Sequence, residues 1–218
     1  MAALDLDGTL VDSAPDLSHC LGVALGSVGL PPPSLADTRR WIGDGVRTLV
    51  RRGLTSGLGA PPEDEVLNGA LAVFMDAYAE HLFVHSEVYP GVPDALAALK
   101  AAGMVVGCVT NKPEAFAETL LEQAEMRTLF DFVFGGDTFP AMKPDPEPLN
   151  QAAARFGVSP AACVMVGDSA NDREAARRAG FRFVLASYGY LPSAEASLEP
   201  EDMRIAGFAE LPQLLCGQ

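Results

Sequence analysis

The chain of 218 residues carries 29 Asp and Glu against 15 Lys and Arg, a formal net charge of −14, with 49% hydrophobic and 20% charged residues. That length fits one large domain, or one domain carrying a smaller insertion, and the apolar fraction supplies a sizeable core and excludes wholesale disorder. The acidic balance disfavours nucleic acid as a partner, because a phosphate backbone needs clustered Lys and Arg. An anionic small substrate would need a local cation or metal to receive it.

Cys20, Cys108, Cys163 and Cys216 are widely scattered and form no CxxC pair. Cys108 and Cys163 lie inside apolar runs and read as buried reduced thiols rather than disulfide or zinc ligands. His19, His81 and His85 have no metal spacing with them. No apolar run approaches membrane-spanning length, and no charged-then-apolar leader precedes Asp5, so a soluble, cytoplasmic protein with no membrane partner is expected.

The opening stretch, Ala3-Leu4-Asp5-Leu6-Asp7-Gly8-Thr9-Leu10-Val11-Asp12, reads as a short strand running into a glycine-punctuated loop. Its two acids, Asp5 and Asp7, fall on one side of an extended strand, and no basic residue follows until Arg39. Clustered acids repel, and a hard cation such as Mg²⁺ relieves that repulsion while taking oxygen ligands. After Ser13, Leu17, Leu21, Leu25 and Val28 recur at helical spacing until Gly29 and the run Pro31-Pro32-Pro33. Trp41-Ile42-Gly43-Asp44-Gly45-Val46-Arg47 is a glycine-spaced turn, and a long helix is expected from about Glu63 to Leu82. Residues 15–85 therefore read as an all-helical insertion, with residues 1–14 and 86–218 forming the main domain.

From Tyr89-Pro90-Gly91 onward, helices alternate with continuous apolar strands. A helix over 92–102 leads to a strand over 104–109 that ends at Thr110-Asn111-Lys112-Pro113. A helix through Phe116, Leu120 and Leu121 leads to the strand Phe132-Val133-Phe134, and a helix after Pro146 runs to Phe156. The strand over 162–166 ends at Gly167-Asp168-Ser169-Ala170-Asn171-Asp172. A helix that stops at Gly180 then leads to a last strand at Phe183-Val184-Leu185. Apolar strands alternating with helices indicate an α/β fold, a Rossmann-like parallel sheet core covered on both faces.

In a parallel sheet, the polar clusters Asp5/Asp7, Thr110-Asn111 and Asp168/Asp172 fall on one edge, and the loop carrying Lys143 can reach it. Acids suit a metal, and a hydroxyl, an amide and an ammonium add donors for a tetrahedral anion; the set suits phosphoryl transfer. Taken singly, these residues have plainer readings. Thr110 would cap the next helix, Lys143 would be a surface lysine, and Asp172 would complement a helix dipole. Lys112 carries no assigned role and reads as structural or rim.

The ordered set Asp5-x-Asp7-Gly8-Thr9, Thr110, Lys143 and Gly167-Asp168-x-x-x-Asp172 resembles the haloacid-dehalogenase-like hydrolase superfamily over nearly the whole chain. The helical insertion resembles that superfamily's small all-helical cap domain. Further stretches, among them Asp12-Ser13-Ala14-Pro15-Asp16-Leu17, Tyr89-Pro90-Gly91-Val92, Lys143-Pro144-Asp145-Pro146 and Tyr188-Gly189-Tyr190, are similar to the bacterial phosphoglycolate phosphatases. Two features depart from that pattern: Asp44 stands where an asparagine is often seen, and the amino-terminal extension is missing.

The resemblance implies Asp5 as nucleophile forming an aspartyl-phosphate, and Asp7 as general acid and then base. It implies Mg²⁺ held by Asp5, the Asp7 backbone carbonyl and Asp168. Thr110 and the Asn111 backbone would donate to the phosphoryl group, Lys143 would add charge, and Asp172 would orient Lys143 or a metal-bound water. Gly8 would let backbone N–H groups reach the phosphate, while Gly43 and Arg47 of the cap would meet the substrate, Arg47 pairing with its carboxylate. The expected activity is hydrolysis of 2-phosphoglycolate by a monomer or homodimer. The alternatives are a sugar-phosphate or pyrophosphate phosphatase, a β-phosphoglucomutase-like isomerase, or a phosphate-sensing or partner-binding protein that keeps the fold without catalysis.

Overall fold

A computed structural model describes residues 1–190 and 199–217. The chain opens with β1 (Ala2–Leu4) and β2 (Val11–Asp12), followed by four helices and then β3 (Glu87–Val88). The helices are α1 (Ala14–Gly26), α2 (Leu35–Trp41), α3 (Val46–Leu58) and α4 (Asp64–Glu80). Helices and strands then alternate as α5 (Val92–Ala101), β4 (Val106–Val109), α6 (Glu114–Gln123), β5 (Phe132–Phe134) and α7 (Glu147–Phe156). They continue as β6 (Val164–Gly167), α8 (Ala170–Ala179) and β7 (Arg182–Ala186), with β8 (Met203–Ile205) and α9 (Leu211–Cys216) beyond.

Six strands form one sheet in the order β5-β4-β1-β6-β7-β8, every neighbour parallel. Parallel strands buried on both faces need no polar alternation, which is why β1, β4, β5 and β6 are buried at every residue. On one face, Ala3, Met165 and Phe183 pack with Leu149 and Ala152 of α7 and Ala175 and Ala176 of α8. The register pairs Leu4 with Cys108 on one side and with Val166 on the other. Asp5, Thr110 and Asp168 therefore leave the sheet at the same edge. This α/β architecture is the one expected, and the expected apolar strands lie at or within two residues of their places.

The helix that leaves this edge after β6 is fixed by its own first turn. Ser169 Oγ accepts the Asp172 N–H at 3.2 Å, and Asp172 Oδ2 accepts the Ser169 N–H at 3.0 Å, a reciprocal capping box. Gly180 closes α8 in the left-handed conformation at φ 72°.

Contacts divide the chain into two units, Met1–Asp12 with Val88–Gln218, and Ser13–Glu87. The boundaries lie two residues outside those expected at 15 and 85. In the second unit α1 packs on α2, α3 and α4. Leu17, Leu21, Leu49, Leu54, Leu67 and Phe74 are buried there. The carboxylate of Asp16, fully buried, accepts the N–H groups of Val84, His85 and Ser86 and the Ser86 hydroxyl at 2.6–3.0 Å, joining the two ends of the unit. Among the described residues, no helix is long and apolar enough to cross a membrane.

Candidate active site

β1 stops at Leu4, so Asp5 and Asp7 both lie past the strand end and not on an extended strand as the alternation suggested. The Asp5 N–H still donates to the Val166 carbonyl at 2.9 Å, which keeps its side chain at the junction of β1 and β6. The turn beyond it is tied by the N–H groups of Thr9, Leu10 and Val11, all donating to the Leu6 carbonyl. Asp7 is thereby turned toward β4, and the two acids meet different partners.

Lys143 is buried to 2% exposure. Its ammonium donates to the Val109 carbonyl and to Asp172 Oδ1, both at 2.6 Å, and lies 2.9 Å from Asp5 Oδ1. It is not the surface lysine that its loop position alone would suggest. Burial disfavours its charge, but Asp172 and Asp5 outweigh that and push its pKa up, so it stays an ammonium. Asp172 uses one oxygen on this ammonium and the other on the helix cap.

Burial, and then the nearby Asp172 carboxylate, push the Asp5 carboxyl up to about 7 despite the opposing pull of Lys143. Asp168 is raised well above the usual carboxylate range by burial and then by Asp5 and Asp172. Asp168 Oδ2 accepts the Tyr190 N–H at 2.7 Å, and Oδ1 receives the Thr9 hydroxyl at 3.3 Å.

Asp7 is held by Lys112, whose position in the sequence alone assigns it no role. Lys112, 4% exposed, donates to both Asp7 carboxylate oxygens at 2.7 and 2.9 Å. Thr110 does not cap α6: its N–H donates to Phe134 O at 2.9 Å, and its hydroxyl accepts the Lys112 N–H at 3.3 Å. Asn111 donates its side-chain amide to the Lys143 carbonyl at 2.8 Å, tying the two loops together. Gly8, at φ 84°, gives its own N–H to Val11 O at 2.9 Å, so that N–H is engaged within the turn. The left-handed backbone there favours glycine in any case, and a Cβ at Gly8 would also lie 2.4 Å from Asp168 Oδ2.

The first unit thus brings together Asp5, Asp7, Gly8, Thr110, Asn111, Lys143, Asp168 and Asp172. Gly43 and Arg47 lie in the second unit. Arg47 Nη1 donates to Asn68 Oδ1 at 2.9 Å, and Gly43 sits at φ 118°. Asp44 is paired with Arg52 at 2.5 Å, and Arg52 also donates to the Trp41 carbonyl at 2.8 Å, so the added negative charge of this turn is met locally.

Ligand oxygens of Asp5, Asp168 and Asp172 lie within 4.8 Å of one another. The donor set is all carboxylate, which suits a hard divalent cation. Three carboxylates face one ammonium, and Asp5 Oδ1 is buried without a directed hydrogen bond, Lys143 lying at ion-pair distance but off the bonding angle. These residues fit a divalent cation. The Asp7 carboxylate stands outside the group of three, bound to Lys112.

The profile of haloacid dehalogenase-like hydrolases matches residues 1–180. A protein of Nitrosococcus oceani named phosphoglycolate phosphatase is 40% identical over 215 residues, covering 99% of this chain and 96% of its own. One of the same name from Chromobacterium violaceum is 40% identical, covering 98% and 95%. The crystal structure of a predicted phosphoglycolate phosphatase from Haemophilus somnus superposes with a TM-score of 0.91 at 34% identity, over 98% of this chain and 96% of that one. On this profile match and these relatives, the chain belongs to the haloacid dehalogenase-like hydrolase family.

Proposed function

We propose that this protein is a Mg²⁺-dependent phosphoric monoester hydrolase that converts 2-phosphoglycolate to glycolate and phosphate through an aspartyl-phosphate on Asp5. The observation that carries the chemistry is the buried Asp5 carboxylate, in ion-pair contact with Lys143 and clustered with Asp168 and Asp172. The names of the relatives at about 40% identity support the substrate.

In the first step an Asp5 oxygen bonds to phosphorus as the bond to the leaving alkoxide breaks, and Asp7 gives that alkoxide its proton. In the second step Asp7 takes a proton from water, the water oxygen bonds to phosphorus, and the Asp5 carboxylate leaves. Lys143 holds Asp5 in place and offers positive charge where negative charge spreads over the phosphoryl oxygens. Thr110 and the Asn111 backbone supply donors, and Lys112 aims the Asp7 carboxylate. Asp5, Asp168 and the Asp7 backbone carbonyl would hold the cation, which supplies charge neutralisation between a carboxylate nucleophile and an anionic phosphate.

The helical unit Ser13–Glu87, expected from the sequence at residues 15–85, would be the cap domain, with Gly43 and Arg47 in its substrate-reading turn. A cytoplasmic monomer or homodimer acting on a small metabolite goes with the same reading. The test is phosphate release from 2-phosphoglycolate against sugar phosphates, nucleotides and pyrophosphate, with Mg²⁺ or EDTA and with Asp5→Asn as control. A Mg²⁺-dependent preference for 2-phosphoglycolate that Asp5→Asn abolishes is expected. Better turnover of another phosphate would overturn the substrate, and undiminished turnover by Asp5→Asn would overturn the mechanism.

A further inference from the structure

The Tyr188-Gly189-Tyr190 segment follows β7, away in sequence from every residue given a chemical role, yet its contacts converge on the acidic edge. The Tyr190 N–H donates to Asp168 Oδ2 at 2.7 Å, and the Tyr190 hydroxyl donates to Asp12 Oδ1 at 2.8 Å. The Tyr188 hydroxyl donates to the Thr9 carbonyl at 2.7 Å, and the Thr9 hydroxyl in turn meets Asp168 Oδ1. Between the two tyrosines, a Cβ on Gly189 would lie 2.3 Å from Asp168 Cβ and 2.5 Å from the Gly8 carbonyl oxygen. Neither neighbour is the far end of a flexible side chain, so the segment lies against Asp168 and Gly8 with no space to spare.

We infer that Tyr188, Gly189 and Tyr190 are positioning residues for the cation site, fixing the Asp168 carboxylate and the loop of Gly8 and Thr9 against which it rests. The inference rests on the reading of Asp5 and Asp168 as cation ligands. Both oxygens of Asp168 are oriented by partners outside its own strand: one by this segment directly, the other by Thr9, whose backbone Tyr188 anchors. A carboxylate held from both sides loses little freedom on binding a cation, and outer partners of metal ligands change affinity by about 10–100-fold when removed. The hydroxyls act one bond further out than the Tyr190 N–H, so their joint removal belongs at the lower end of that range, while a Cβ at Gly189 displaces the ligand itself.

Mn²⁺, whose free form is quantified by electron paramagnetic resonance, reports binding without turnover. Tyr188→Phe/Tyr190→Phe is expected to weaken Mn²⁺ binding by about tenfold, and Gly189→Ala by more, relative to wild type. The double Phe variant removes two oxygens and leaves the packing, so its circular dichroism and Tm serve as the folding check even where Gly189→Ala is unstable. With saturating metal the double variant is expected to recover kcat to within a few-fold, which separates positioning of the site from collapse of the fold. Asp168→Asn marks the site. Should wild type bind Mn²⁺ and Asp168→Asn lose it while the double Phe variant binds like wild type, the inference is overturned and the metal reading stands. Should wild type and Asp168→Asn bind alike, the metal reading itself fails and the inference with it.

Discussion

At the scale of single residues, charge balance decides what the edge can do. Asp5, with its carboxyl pushed up to about 7, keeps a proton in the folded chain that the unfolded chain releases near its ordinary value of 3.8. Its contribution therefore favours folding below that value and is lost as pH rises from about 4 to about 7, the opposite of a salt-bridged surface acid. A bound cation competes with that proton and reverses the trend. Without metal, Asp5→Asn is expected to gain in Tm relative to wild type as pH rises from 5 to 8, and added Mg²⁺ to raise the wild-type Tm more at pH 8 than at pH 5. Thermal melts across that range check it, and a Tm difference independent of pH and Mg²⁺ would contradict it. The same balance carried the signal for Lys112. Four acids at one edge against Lys143 alone left charge uncompensated, and the next lysine in the strand-end sequence Thr110-Asn111-Lys112 was the available cation. Spacing gives no direction to a side chain, so the pairing with Asp7 became visible only in three dimensions.

At the scale of elements, the legible parts were those with strong apolar runs and breakers: β5 at Phe132–Phe134, α7 after Pro146 and α8 up to Gly180. β4 and β6 each begin two residues later than the apolar runs suggested. Residues 160–162 form an exposed 3-10 turn, so apolar character there marks neither burial nor backbone pairing. The short α2, started by Ser34 accepting the Asp37 N–H at 3.1 Å, and the three-residue β8 carry too few apolar positions to announce themselves. Gly107 in β4 shows a packing rule that sequence alone does not print. It pairs with Phe132 across the sheet, and a Cβ there would lie 2.0 Å from the ring. The aromatic ring occupies the space that a side chain would fill. Gly107→Ala is expected to lower stability by about 1–3 kcal/mol, since the ring has to leave its place. In a denaturant melt this shows as a lower midpoint at unchanged slope, and a midpoint equal to wild type would show that the sheet absorbs the methyl.

At the scale of the molecule, a chain of net charge −14 gathers two buried or nearly buried lysines beside four acids at one sheet edge. That placement follows from topology. With β1 between β4 and β6, the loops after three strands open side by side, and their motifs, distant in sequence, become one site. The order of the motifs was legible because each stands directly after an apolar strand. What holds them, namely Tyr188, Tyr190 and Asn111, was not, because a buried hydrogen bond leaves no period in the sequence. The central claim is that the Asp5 carboxylate takes the phosphoryl group. Trifluoroberyllate adds to a carboxylate oxygen as a phosphoryl group does, and fluorine nuclear magnetic resonance of the full chain with Mg²⁺ and this anion reads that bond directly. Bound resonances that require Mg²⁺ and vanish in Asp5→Asn are the predicted result; bound resonances that persist unchanged in Asp5→Asn would place the acceptor elsewhere and contradict the account.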